Sequence, residues 1–226
     1  MAITTQPLAL EERRQAARNI FGGSLAESIA AGATIVLSLI ALSGTLVATL
    51  LPIAVLAMGA AFLLEGGSIS LRFTRLLAEA SEEDIEKADF GIGVTSEFLG
   101  GVTGIVLGIL AILKLAPMIL IPVAVLVFGA TLILSSRMMV RLNSLELEGF
   151  TENNRVRKIA YEITAAAAGV EFLLGISAVI LGIIALTGTA TATLSLVAVL
   201  IVAISGFVTG AAASARMANI YKTRTV

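Results

Sequence analysis

Residues 97–141 read EFLGGVTGIVLGILAILKLAPMILIPVAVLVFGATLILSSRMMVR, and this stretch decides the fold. An apolar run, a short turn at 114–117 and a second apolar run make a helical hairpin. Shifted back by 70 residues, Glu97 falls on Glu27, Ile105-Val106-Leu107 on Ile35-Val36-Leu37, Ala111 on Ala41, Pro122 on Pro52 and Gly129-Ala130 on Gly59-Ala60. Shifted forward by 74, Glu97-Phe98-Leu99 falls on Glu171-Phe172-Leu173, Gly101 on Gly175, Gly108-Ile109 on Gly182-Ile183 and Val123-Ala124-Val125-Leu126 on Val197-Ala198-Val199-Leu200. Chance matches are common in an apolar alphabet, but a shared frame that carries a charged residue is not. The chain therefore reads as one membrane domain of 1–226, made of a cytoplasmic tail, 1–18, and three tandem hairpins, 19–78, 89–145 and 161–222.

The composition agrees. Of 226 residues, 58% are apolar and 14% charged, and the mean hydropathy is +1.01. A soluble domain carries about 25% charged residues. Cys and His are absent, which excludes disulfides, thiolate or imidazole metal sites and a histidine general base. The net charge of −1 argues against nucleic acid as a partner. The lipid bilayer is the expected partner, and no cofactor motif is present. Gly91-Ile92-Gly93 echoes the start of a dinucleotide fingerprint, but it opens a membrane helix with no strand before it. The outer turns hold Thr and Ser with no base to activate them, so no enzyme is expected.

Six spans follow, near 21–43, 47–66, 91–113, 118–136, 163–187 and 194–213. Each has about the 20 residues that a helix needs to cross a bilayer. The expected class is all-α: a polytopic membrane protein with six transmembrane helices as three tandem hairpins. Pro52 and Pro122 are expected in the first turns of spans two and four, where early N–H groups lack intrahelical acceptors. Polar linkers are expected after spans two and four, with Ser81 and Asp84 forming an N-cap for a helix that runs into span three. The segment before span one is read as a solvated tail or a thin lipid-surface helix carrying Leu8, Leu10 and Ala17. It lacks the apolar core of a cleavable signal, so the first span is expected to direct insertion.

Every Lys and Arg except Lys114 falls in the tail, the long linkers or the C-terminal segment. That asymmetry predicts both termini in the cytoplasm of a cell with the protein in its inner membrane. Gly100, Gly104 and Gly108 form overlapping small-xxx-small units, which let helix backbones approach closely in lipid. Internal packing is the plain reading of this face, and a homo-oligomer or a membrane-protein partner is the other.

Glu27, Glu97 and Glu171 stand at matching depth on the odd-numbered spans. A charge at the bilayer centre costs about 2.5–3.5 kcal/mol on insertion scales, so each acid must pair, take up a proton or reach water. Besides simple solvation at the interface, two readings are open. In the first, each Glu pins its hairpin through an arginine that returns to the same depth: Arg72, Arg141 and Arg216 at near-constant offset, with Arg137 a second candidate for Glu97. In the second, the three acids form a site for a cation or a proton. Glu65 has no acidic counterpart in the other repeats and is expected to be solvated at the inner end of span two.

The pattern GIVLGILAIL, short turn, proline, aliphatic run and small-residue stop resembles the HdeD-like short-repeat membrane proteins. Gly104, Gly108, Leu110, Ala111, Pro117 and Gly129 carry the resemblance, which covers about residues 20 to 216. It implies three tandem hairpins in a prokaryotic inner membrane and a non-enzymatic, stress-related role, since the family's named member is linked to acid resistance. The Glu at the start of each repeat and the acidic linkers depart from that pattern.

Overall fold

The computed structural model describes the backbone of residues 25–79, 87–148 and 155–222, and the side chains of 25–67, 96–137 and 165–211. All of the regular structure there is helical: α1 (Leu25–Leu42), α2 (Val47–Glu79), α3 (Lys87–Ile112), α4 (Pro117–Glu148), α5 (Arg155–Leu186) and α6 (Thr191–Lys222). Five of these helices are long and apolar enough to cross a membrane, and α3 adds a shorter apolar segment, Ser96–Ile112. The N-terminal tail and the Ser81–Asp84 cap lie outside the described residues.

Two expectations are corrected by the helix bounds. The segments read as linkers after spans two and four continue α2 to Glu79 and α4 to Glu148. These extensions contain no Gly or Pro after Gly67 and Gly129, and Leu, Arg, Glu and Met favour helix even where apolarity ends. Pro52 and Pro122 are each the sixth residue of their helix, in the second turn. A proline there forgoes one helical hydrogen bond.

Three tight turns join the hairpins. Gly44, Lys114 and Gly188 adopt positive φ (90°, 62° and 86°), as do Leu46, Ala116 and Ala190 (47°, 43° and 44°). In each turn the first of these residues donates its N–H to a carbonyl three residues back: Ala41, Ala111 and Ala185. The left-handed region costs an L-residue roughly 1–2 kcal/mol, so glycine suits the first position and Lys114 is the exception.

Helices α2, α4 and α6 contact one another and run parallel, from the turn end of the bundle to the linker end. A larger share of each is buried than of α1 or α5. The outer helices present Ile29, Val36 and Leu39, Val106 and Ile109, and Val170, Leu173 and Ile183 to the surroundings. In lipid such faces are satisfied by acyl chains, and helices are held together by close packing.

The contacts between successive hairpins depend on missing side chains. A Cβ on Gly59 of α2 would lie 2.7 Å from the Ile105 amide nitrogen and 2.9 Å from the Gly101 carbonyl on α3. A Cβ on Gly129 of α4 would lie 2.8 Å from the Gly175 carbonyl on α5. Backbone therefore meets backbone along both seams. The bundle closes with α6 on α1: the Phe207 ring lies 3.5 Å from where a Cβ on Gly32 would stand, and Ala31 Cβ is 3.7 Å from the Cβ position of Gly206. Here the corresponding small residues are Ala203 and Ala31, both wholly buried.

The inner helices bury residues in steps of four and three, the seam spacing of packed parallel helices. Leu51, Ile121 and Ser195 come first, then Val55, Val125 and Val199, then Met58, Phe128 and Val202. Phe62 and Leu132 follow, and the Phe62 and Phe128 rings stand 5.4 Å apart at 45°, a favourable tilted pair. All of these residues are buried. They form a closely packed plug that is apolar apart from Ser195. Beyond it, toward the linkers, come Glu65, Ser135 and Thr209.

Candidate functional site: an acid cluster inside the bundle

Glu27, Glu97 and Glu171 are 3%, 1% and 7% exposed, so none reaches bulk water through its own surface. Local packing explains their direction. Glu97 Cβ lies 3.2 Å from where a Cβ on Gly66 would stand, and Glu27 Oε1 lies 3.1 Å from the corresponding point on Gly210. Both glycines lie on inner helices, 66 and 210 being related by the same offsets as the acids, and each leaves room for a carboxylate from an outer helix.

The carboxylates meet hydroxyls from the next register position. Ser135 donates its Oγ–H to Glu97 Oε1 in a buried contact. Thr209 Oγ1 stands 3.3 Å from Glu27 Oε1 and 3.1 Å from the Ser205 carbonyl, so one hydroxyl hydrogen is shared between acid and backbone. Glu97 Oε2 is buried with no hydrogen-bond partner. An acceptor in that position costs desolvation without compensation.

The acids also act on one another. Glu27 feels the charges of Glu97 and Glu171, Glu97 feels Glu171, and Glu65 feels all three. Glu65 is thus a correction: it is half-buried and belongs to the cluster rather than to the solvent. The signal was present in the repeat register. Glu65, Ser135 and Thr209 stand 70 and 74 residues apart, a position that is polar in all three repeats. Among the described residues no three acids converge tightly enough to hold a metal ion. The cluster is looser than a coordination shell.

The basic side chains described are Arg137 and Lys114, and neither reaches the cluster. Arg137 is exposed, with its guanidinium carbon 5.8 Å from the Phe172 ring centroid, a cation–π contact. It stands two residues beyond Ser135, about 200° round the helix, and so faces away from Glu97. The Arg137–Glu97 pairing considered from sequence is therefore not formed. The side chains of Arg72, Arg141 and Arg216 lie outside the described residues.

The face carrying Gly100, Gly104 and Gly108 is used inside the bundle. A Cβ on Gly104 would fall against the Phe128 ring, on Gly108 3.1 Å from Leu56, and on Gly100 against the Thr131 side chain. A surface for another copy or another membrane protein would have to lie elsewhere. Comparison with family models, with curated proteins and with solved structures gives no match to this chain.

Proposed function

We propose that this is a non-enzymatic integral membrane protein whose working part is the cluster of Glu27, Glu65, Glu97 and Glu171, which takes up and releases protons from the linker end. One observation carries the reading: three acids at equivalent sequence positions, buried inside a lipid-facing bundle, lie within electrostatic reach of one another, and one Glu97 oxygen is left without a hydrogen-bond donor. A proton satisfies such an oxygen directly. A metal ion needs several ligands at once, which this spacing does not supply.

The plug supports access from the linker end. Glu65 stands fourteen residues after Leu51, about 21 Å along the helix, and that length is filled mainly by buried Val, Met, Phe and Leu. Protons reach the cluster from the linkers and not through the turn end. The clustering of basic residues assigns the linker end to the cytoplasm. A role in acid stress is the function that the HdeD-like resemblance implies, and a proton-binding bundle built from three hairpins is a physical form such a role can take.

A small acid pulse to purified protein, followed with a pH indicator, tests this. Uptake should exceed that of a variant with all four acids changed to Gln. Equal uptake by the two proteins would sink the proposal.

A further inference from the structure

The turn end of the bundle holds a cavity of about 410 Å³. Its walls are the first turns of the inner helices, with Val47 and Leu51 on α2, Pro117 and Ile121 on α4 and Thr191 on α6. These are positions of the same register, so the cavity sits among the first turns of the three inner helices, with Ala111 of α3 beside them. The walls are almost wholly carbon. The Thr191 hydroxyl is spent on the Ala185 carbonyl at 3.0 Å. The charged group in the lining is Lys114.

The volume falls within the roughly 300–1,000 Å³ of ligand pockets, and apolar walls of this kind favour apolar groups. Lys114 adds a cation at the rim, and the N-terminal turns around it add the unpaired N–H groups and positive dipole ends of three helices. Lys114 also holds its place against backbone preference. It adopts φ 62° where Gly44 and Gly188 occupy the equivalent turns. Charge and wall together specify an amphiphile with one chain and a negative head.

We propose that this cavity binds a long-chain carboxylate, with its chain among the inner-helix first turns and its carboxylate on the Lys114 ammonium. The probe is a diazirine-bearing palmitate, photolysed with the purified full-length protein and mapped by peptide mass spectrometry. Labelling should fall in 47–52 and 117–121 and be competed by palmitate. Lys114→Gly restores the residue type of the other two turns, so it should fold normally while weakening palmitate competition about tenfold, a loss of ~1.4 kcal/mol. Ala192→Phe fills the cavity and should abolish the labelling. The proposal is overturned if labelling spreads evenly over the lipid-facing helices, or if hexadecanol competes as well as palmitate. It is likewise overturned if Lys114→Gly competes like the parent, or if phosphatidylglycerol in nanodiscs displaces the probe where palmitate does not.

Discussion

At the scale of single residues, Glu97 and Lys114 make opposite demands on their surroundings. Glu97 is buried, with Ser135 on one oxygen and nothing on the other. Glu97→Gln keeps the shape and the Ser135 contact and removes a charge that lipid penalises. Melting in detergent should therefore stay at or above the parent temperature, whereas an arginine-pinned acid would strand its partner and melt lower. Ser135→Ala removes the donor and leaves a buried acceptor unpaired, so it should destabilise by about 1–3 kcal/mol. Lys114 is exposed but occupies a left-handed position. Lys114→Gly should raise stability by roughly 1 kcal/mol, read as a higher unfolding midpoint. A lower midpoint would mean that the lysine side chain supports the turn. The importance of Glu97 was readable from its burial in an apolar run. The place of Glu65 was readable only from the repeat register, because its register partners are hydroxyls and a search for repeated charge passes over them.

At the scale of helices, the two glycine seams and the closing seam differ. Gly59 on Gly101 and Gly129 on Gly175 bring backbones into contact, while Ala203 and Ala31 hold α6 and α1 farther apart. Ser38 of α1 and Ser195 of α6 are also buried with hydroxyls that lack partners, and Gly108 and Gly182 stand at the positions related to Ser38. The closing seam is thus the less completely packed. Gly129→Val should cost about 1–3 kcal/mol by overpacking, and Ala203→Gly should cost less than 1 kcal/mol. Thermal denaturation of the two variants checks the ranking, and equal losses would contradict it. The helical class and the six apolar segments were legible from composition and span length alone. The linker helices were not, since the reading followed apolarity, and helix propensity outlasts apolarity along α2 and α4. Which helices lie inside was also beyond the sequence, because every span is apolar on all sides.

At the scale of the molecule, six helices close into a bundle with an apolar cavity at one end, a solid plug in the middle and an acid cluster near the other. Closure is open to test because the chain has no cysteine. Gly32→Cys paired with Phe207→Cys should cross-link on oxidation within one chain, and failure to do so would part α1 from α6. Orientation follows from Ala2→Cys and Thr225→Cys, which should resist an impermeant thiol reagent in intact cells; ready reaction would reverse the assignment of sides. The plug predicts that liposomes holding the protein show no proton leak above empty vesicles while the protein still binds protons at the linker end. Infrared difference spectroscopy across a pH titration observes those protons directly. A protonated-carboxyl C=O band should change with pH, diminish in Glu97→Gln and lose its buried component when Glu27, Glu65, Glu97 and Glu171 are all Gln. A carboxyl spectrum that is the same in the parent and the fourfold variant at every pH would contradict it.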